Sequence, residues 1–264
     1  ASAMMQPMSL LPWLSFFALG AIIASFIGVL VGRLNTGQSF LTGRSRCDVC
    51  NVPLQPSALV PIVSFIMRGG RAQCCDARIS LIAPFTELLL GGLYVLAYAK
   101  IGFAPALPLM FIALALVLAL VLYDLAHQIL PPVLLTAFVL VSTATSVLLA
   151  PSPDAFYAVS FTALLIAASL ALIHFLSRGR AMGLADTPFV FGLSLLVGPA
   201  ALSGFIFSFW IGAAIGIVVL FRRPAGSRMG VEVPFAPFLA AGFLLAYVTQ
   251  WNPFIFIATL TAFH

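Results

Sequence analysis

Residues 105–132 read PALPLMFIALALVLALVLYDLAHQILPP, and this stretch decides the fold class. No charged residue occurs from position 105 to position 123, a segment long enough to cross about 30 Å of hydrocarbon as a helix. Comparable apolar runs recur along the chain. The sequence therefore predicts an all-α polytopic membrane protein with about eight transmembrane helices, at residues 11–32, 81–99, 105–123, 131–150, 156–177, 185–199, 202–221 and 234–250.

Composition excludes several functional classes. Of the 264 residues, 62% are hydrophobic and 7% are charged, whereas about a quarter of an average soluble domain is charged. A soluble enzyme and a disordered chain are therefore excluded. The formal net charge of +5 does not indicate nucleic-acid binding, because no basic helix or aromatic platform organises the basic residues. We expect membrane lipid as a partner and no nucleic acid.

The arginines orient the chain, because loops on the cytoplasmic side of a membrane carry an excess of basic residues. The longest polar stretch, loop 33–80, lies between the first and second predicted helices. Alternation of the spans places the turns at 124–130 and 178–186 on the same cytoplasmic side as this loop, and the amino terminus outside. With eight spans every arginine falls on that side: Arg33, Arg44, Arg46, Arg68, Arg71, Arg78, Arg178, Arg180, Arg222, Arg223 and Arg228.

Two acidic residues interrupt apolar segments close to the cytoplasmic face. Asp124 follows a predicted span and Asp186 opens another. An ionised group in the membrane costs about 2.5–3.5 kcal/mol at full depth and usually faces the interior of a helix bundle. A carboxylate at the end of a helix opposes the helix dipole, so Asp124 is not explained as a cap, whereas Asp186 has a helix cap as its alternative. Together the two residues predict a functional site.

Paired carboxylates predict acid–base chemistry. Two such groups brought close together do not both ionise easily, so one holds a proton while the other accepts one from water. This arrangement suits general acid–base hydrolysis of a peptide without a covalent intermediate. His127 and His174 belong to no recognisable nucleophile motif and are interpreted as structural residues.

All four cysteines of the chain lie in loop 33–80. Cys47 and Cys50 form a C-x-x-C pair, the spacing with which two thiolates reach one tetrahedral Zn²⁺. Cys74 and Cys75 are adjacent, which leaves open a site of three thiolates completed by water or Asp76. A cytoplasmic loop disfavours a stable disulfide. We expect Cys47, Cys50, Cys74 and Cys75 to hold a structural zinc ion that stabilises the loop.

Several segments resemble a known family in the right order along nearly the whole chain. Residues 182–189, MGLADTPF, resemble the G-x-G-D signature of intramembrane aspartic proteases, and residues 123–132, YDLAHQILPP, resemble the aspartate-bearing turn of bacterial type IV prepilin peptidases. ASFIGVLVGRL at 24–34, RSRCDVC at 44–50, RGGRAQCCDARISLIAPFTELLLGGLY at 68–94 and VPFAPFLAAG at 233–242 resemble further segments of that family.

The resemblance implies a membrane aspartic endopeptidase with Asp124 and Asp186 as its catalytic pair. The family removes the short basic leader from prepilins and pseudopilins, which have an apolar amino-terminal helix, at the cytoplasmic face of the bacterial inner membrane. Many members then N-methylate the new amino terminus with S-adenosylmethionine. The resemblance implies that the half at 1–104, which includes loop 33–80, is associated with methyl transfer, and that 105–264 is the peptidase domain.

Glu87 is the conspicuous acid of the family's second span. The resemblance implies that it binds the positive charge of the substrate or serves methyl transfer, and a helix-end hydrogen-bonding role is the alternative. Ala185 stands where the signature has its second glycine, a replacement that requires a negative φ or room for a methyl group. Pro188 stands where the family often has a lysine.

Two functions of other classes compete with the peptidase. Buried acids in a helix bundle also mark ion paths, so a proton- or ion-coupled transporter that uses the buried aspartates is the main alternative. Acids near mid-membrane and paired broken helices are typical of such transporters, whereas Asp124 and Asp186 both lie near one face. A non-enzymatic assembly scaffold with a zinc loop is the third hypothesis.

Overall fold

The computed structural model describes residues 10–34, 47, 49–50, 52–53, 55, 60–180, 182–222 and 234–251. Within these ranges the fold is all-α, as predicted, and Arg71 and Arg78 form an isolated antiparallel bridge. The helices are α1 (Leu10–Arg33), α2 (Val63–Met67), α3 (Ile82–Ile101), α4 (Ala106–His127), α5 (Pro132–Leu149), α6 (Pro153–Leu176), α7 (Asp186–Val197), α8 (Ala201–Arg222) and α9 (Ala236–Thr249).

Six segments of the described chain are long and apolar enough to cross a membrane, which confirms a polytopic membrane protein. They are α1, α3, α4, α5, α6 and the continuous stretch Asp186–Val219. That stretch contains α7 and α8, joined by a 3-10 turn at Gly198–Ala200 that begins with a positive φ of 67° at Gly198. With 12 residues, α7 spans about 18 Å, less than the hydrocarbon thickness. The prediction that α7 and α9 each cross the membrane separately stays a prediction.

Part of the chain used to predict the topology lies outside the described residues. This applies to Arg44, Arg46, Arg223 and Arg228, and within loop 33–80 to residues 35–46, 48, 51, 54 and 56–59. The orientation of the helices in the membrane therefore stays a prediction.

The chain divides into two compact units, Ala1–Ala119 and Leu120–His264. In the first unit, α1 and α3 approach each other closely through glycines. A Cβ on Gly20 would stand 2.7 Å from the carbonyl oxygen of Leu90, and one on Gly91 would stand 2.9 Å from that of Phe17. Contacts at such distances leave no room for side chains, so these glycines set the helix separation.

The second unit is built around α7. This helix packs against α5, α6, α8 and α9, and most of its side chains are buried, as expected for a helix that is apolar on every face. Gly192 of α7 contacts the ring of Phe138, which is fully buried. The first residue of this buried helix is Asp186. The boundary between the two compact units lies at 119/120. The division into two functional halves at 104/105 is not tested by it and stays a prediction.

Candidate active site and metal centre

Asp124 lies in the last turn of α4, and only 6% of its surface is exposed. Its Oδ2 accepts a hydrogen bond of 3.2 Å from the backbone N–H of Ala236, the first residue of α9. The end of α4 is unfavourable for an anion, but the positive end of the α9 dipole offsets this. The contact explains how a carboxylate is held at the end of an apolar helix.

Asp186 is the first residue of α7 and is 8% exposed. The backbone N–H of Gly183 donates to its carboxylate. The cap position of α7 is Ala185, and no side chain caps the helix. Asp186 therefore stands directly after the cap position, in the first turn of α7, where the positive end of the helix dipole favours a carboxylate.

The carboxyl groups of Asp124 and Asp186 lie in the same unit, both buried, and close enough to interact electrostatically. They reach this position from separate helices, at the end of α4 and the beginning of α7. Each accepts a hydrogen bond from a backbone N–H. Two buried carboxyl groups in this relation can exchange protons with a bound peptide and water.

The departures from the family signature fit the local backbone. Ala185 has φ −67° and ψ −20°, a helical conformation that alanine adopts without strain. Pro188 is the third residue of α7, where its missing N–H has no partner to lose within the helix.

Glu87 is placed in the first unit, where it is 6% exposed in α3. Its Oε2 accepts a 2.7 Å hydrogen bond from the backbone N–H of Ile62. Ile62 precedes α2 and has a positive φ of 60°, a costly conformation for a β-branched residue. Glu87 thus ties the chain before α2 to α3, in agreement with a hydrogen-bonding role. A role in substrate binding or methyl transfer stays a prediction.

The four cysteines form one cluster. Their Sγ atoms all lie within 4.8 Å of one another, and all four thiols are free. The Sγ–Sγ distances are 3.7 Å between Cys47 and Cys75 and 3.0 Å between Cys50 and Cys74. Four thiolates at about 2.3 Å from one Zn²⁺ lie about 3.8 Å apart. The four sulfur atoms therefore fit a tetrahedrally bound metal ion, although Cys50 and Cys74 are closer together than such a site requires.

A tight turn brings the adjacent cysteines to the cluster. The N–H of Ala72 donates to the carbonyl of Ala77, and that of Asp76 donates to the carbonyl of Ala72. Asp76 has a φ of 54°, which reverses the chain after Cys75. The carboxylate of Asp76 forms a 2.6 Å ion pair with Arg71. Asp76 therefore stabilises the turn, and all four thiols are available as metal ligands.

Backbone donors favour a thiolate within the cluster. The N–H groups of Cys50 and Val49, with smaller contributions from neighbouring thiols, lower the pKa of Cys47 to about 6. Hydrogen bonding to the Cys50 thiol, followed by desolvation, raises the pKa of Cys74 to about 12. The Ala77 N–H lowers the pKa of Cys75, but desolvation and the nearby thiols outweigh it and raise this pKa. Without a cation the cluster retains protons, which a metal displaces.

Comparison with known proteins identifies the family. The profile of the bacterial peptidase A24 N-terminal domain matches residues 18–101. The chain is 31% identical over 239 residues to the prepilin leader peptidase/N-methyltransferase of Bacillus subtilis (strain 168), covering 88% of this chain and 92% of that relative. The chain belongs to the prepilin leader peptidase/N-methyltransferase family.

Further members of this family are also similar. The Pseudomonas aeruginosa protein of the same name is 26% identical over 248 residues, covering 84% of this chain and 85% of that relative. The Legionella pneumophila protein is 26% identical over 214 residues, covering 77% of this chain and 71% of that relative. No solved structure matches the chain. The transporter hypothesis has no support among these relatives.

Sequence reasoning missed the backbone partners of the two acids. Ala236 and Gly183 act through their N–H groups, which every residue except proline possesses. Gly183 is only three residues before Asp186, so the contact between them is local in the sequence. No sequence pattern indicates the contact of Ala236 with Asp124, because 112 positions separate the two residues.

Proposed function

We propose that this chain is a membrane aspartic endopeptidase that removes the basic leader from prepilins or pseudopilins, with Asp124 and Asp186 as its catalytic residues. The observation that carries the proposal is the burial of both carboxyl groups in one unit, close enough to interact, each bound by a backbone N–H. Family membership supplies the substrate class.

The two acids hydrolyse the peptide as a unit that shares one proton. The ionised carboxylate takes a proton from water, whose oxygen attacks the carbonyl carbon of the scissile bond. The protonated carboxyl group donates its proton to the carbonyl oxygen, giving a tetrahedral intermediate. Collapse of this intermediate breaks the C–N bond: the leaving nitrogen takes the proton held by the first acid, and a hydroxyl of the intermediate returns a proton to the second acid as the new carboxyl group forms. Because the groups are coupled, their pKa values belong to the pair.

A cavity beside Asp186 suits the apolar segment that follows the leader. It has a volume of about 260 Å³ and is lined by α5 and the first turn of α7: Pro132, Leu135, Thr136, Val139, Leu140 and Pro188. Pro188 is two residues from Asp186, and the α5 residues extend from that level over about 12 Å of helix. Side chains of a substrate helix packed against α5 would enter this cavity, and the helix would continue from a peptide bond held at the acids.

Filling the cavity tests this placement. Thr136→Trp is expected to lower cleavage of a full-length prepilin, whereas Val147→Trp, an exposed position of α5 outside the cavity lining, is not. A substrate whose segment after the leader is entirely polar should be cleaved poorly. Efficient cleavage of that substrate would contradict a seat for an apolar helix.

We also propose that the protein resides in the bacterial inner membrane with its amino terminus in the periplasm and the acids at the cytoplasmic face. The distribution of the arginines supports this orientation, and the basic leader of a prepilin is present on that side. Reporter fusions after residues 128 and 178 are expected to indicate a cytoplasmic location for both turns.

We propose zinc as the metal of the cysteine cluster. Four thiol groups whose sulfur atoms lie within 4.8 Å of one another suit Zn²⁺, which is bound tetrahedrally in structural sites and undergoes no redox chemistry. Cys47 and Cys50 would bind it from one turn, and Cys74 and Cys75 from the other. The ion would join two short turns that have little apolar surface of their own.

Methyl transfer is a second proposed activity, because the names of the relatives include it. We propose that the half at 1–104 carries this activity and 105–264 the peptidase. One oxygen of Glu87 accepts the N–H of Ile62. No step is assigned to Glu87. Transfer of a labelled methyl group to a pilin with a free amino terminus, measured in Asp124→Asn protein, tests whether the activities are separate.

Incubation of purified protein with a prepilin tests the proposed function. The expected result is a single cleavage between the basic leader and the apolar segment, detected by the masses of both products. A prepilin that stays intact in the membrane, under conditions in which a member of the family cleaves it, would contradict the proposal.

A further inference from the structure

His174 takes no part in the proposed reaction, yet it contacts the loop that carries Asp186. It lies in the last turn of α6, and its Nδ1 is 2.8 Å from the carbonyl oxygen of Met182. A carbonyl oxygen only accepts hydrogen bonds, so Nδ1 carries the proton and donates it. The sequence alone gave this histidine a purely structural interpretation.

The peptide unit between Met182 and Gly183 connects His174 with Asp186. Its C=O accepts from the imidazole, and its N–H donates to the Asp186 carboxylate. Gly183 lies directly against that carboxylate, because a Cβ on it would stand 3.4 Å from Asp186 Oδ2. Hydrogen bonds at the two ends of one peptide group polarise it in the same sense and strengthen each other.

The turn after α6 packs beside the imidazole ring and binds the backbone carbonyl of His174. The N–H of Gly179 donates to the carbonyl of His174 at 2.8 Å, and the hydroxyl of Ser177 donates to the same oxygen at 3.1 Å. Gly179 has a φ of 76°, and a Cβ there would stand 3.3 Å from His174 Cε1. Gly179 therefore leaves free the space beside the ring that a side chain would fill.

We infer that His174 is a positioning residue for Asp186, acting through the Met182–Gly183 peptide unit. The imidazole holds this unit so that its N–H points at the carboxylate, which fixes the carboxylate for proton transfer. The inference rests on the proposed catalytic role of Asp186. It assigns His174 no contact with the substrate.

Three variants test the inference. His174→Leu removes the donor while keeping a bulky side chain, and we expect kcat to fall on the order of tenfold, the lower end of the loss caused by removing a partner that orients a metal ligand, with little change in KM. His174→Asn places an amide N–H near the position of Nδ1 and is expected to restore most of kcat. Phe175→Leu alters the ring that packs edge-on against His174 without removing the donor, and should leave kcat unchanged.

The outcomes separate this inference from the proposed function. If Asp186→Asn is inactive and His174→Leu retains full kcat, the positioning role is wrong and the peptidase proposal stands. If His174→Asn and His174→Leu lose activity equally, in proportion to a loss of folded protein measured by thermal unfolding, His174 is only structural. Full activity of Asp186→Asn would instead overturn the proposed function itself.

Discussion

The carboxylate of Asp124 accepts the backbone N–H of Ala236 at 3.2 Å, which joins the end of α4 to the beginning of α9. Both residues are buried. The contact holds one of the two proposed catalytic acids through a backbone N–H. Only a substitution by proline at position 236 would remove this group.

Asp124→Asn and Asp124→Ala are expected to differ in stability while both lose peptidase activity. The asparagine oxygen can still accept from Ala236, so the unfolding temperature should stay at or above that of the unchanged protein. Alanine leaves the buried N–H without its partner, which costs about 1–3 kcal/mol. Thermal unfolding in detergent measures the difference, and equal unfolding temperatures for the two variants would show that this hydrogen bond contributes little.

Two adjacent glycines of α3 provide a matched test of the helix packing in the first unit. Gly91→Ala would place a Cβ 2.9 Å from the carbonyl oxygen of Phe17, whereas Gly92→Ala meets nothing within 4 Å. We expect Gly91→Ala to destabilise the protein by about 1–3 kcal/mol through overpacking. Gly92→Ala should be neutral or stabilising. Equal stability of the two variants in an unfolding assay would contradict the close approach of α1 and α3.

The metal content of the protein tests the cysteine cluster. We expect one zinc ion per chain by elemental analysis, with loss of the ion in Cys47→Ser, Cys50→Ser, Cys74→Ser and Cys75→Ser proteins. Asp76→Asn is the control, because the carboxylate pairs with Arg71, and it should retain the ion. Loss of zinc in Asp76→Asn, together with its retention in Cys74→Ser, would instead indicate a site completed by the aspartate.

The same ion should be lost on acidification. Metal binding requires the thiolate forms, and protons compete for them. The pKa of Cys47 is about 6, whereas those of Cys74 and Cys75 are raised, so retention is complete at alkaline pH and falls as the pH is lowered. Dialysis at a series of pH values measures this, and an affinity that increases on acidification would exclude thiolate ligands.

Glu87→Gln and Glu87→Leu separate a structural role from a charge-dependent one. Glutamine can still accept the N–H of Ile62, and leucine cannot. We expect the amide of Ile62 to exchange with solvent faster in Glu87→Leu alone, since that variant leaves the N–H before α2 without an acceptor. If Glu87→Gln behaves like Glu87→Leu, the charge of the carboxylate, rather than its hydrogen bond, determines the role of this residue.

The membrane fold and the residues of the candidate site were predictable for physical reasons. An acid such as Asp124 at the end of a long apolar span is costly enough to require an explanation, and clustered cysteines in a polar loop indicate a metal. The span predicted at 185–199 differs little from α7 at Asp186–Val197, because Gly198 ends the helix close to the predicted break. Backbone contacts, such as those of Ala236 and Met182, leave no side-chain pattern in the sequence.

The adjacent cysteines show the same limit. The spacing of Cys74 and Cys75 departs from C-x-x-C, and a turn with a left-handed backbone at Asp76 and an ion pair to Arg71 accompanies the approach of both thiols to Cys47 and Cys50. Sequence spacing describes metal ligands well when they follow a common turn. Here the turn differs, and its geometry depends on interactions outside the cysteine pattern.

Prepilin cleavage by Asp124→Asn and Asp186→Asn proteins is the most direct test of the central claim. Each variant replaces one carboxyl group by an amide of nearly the same shape, so the backbone contacts of both sites can be retained. Measured in a single turnover with folded protein, each substitution is expected to abolish product formation, because neither remaining acid can both activate water and protonate the carbonyl. Undiminished cleavage by either variant would contradict the account.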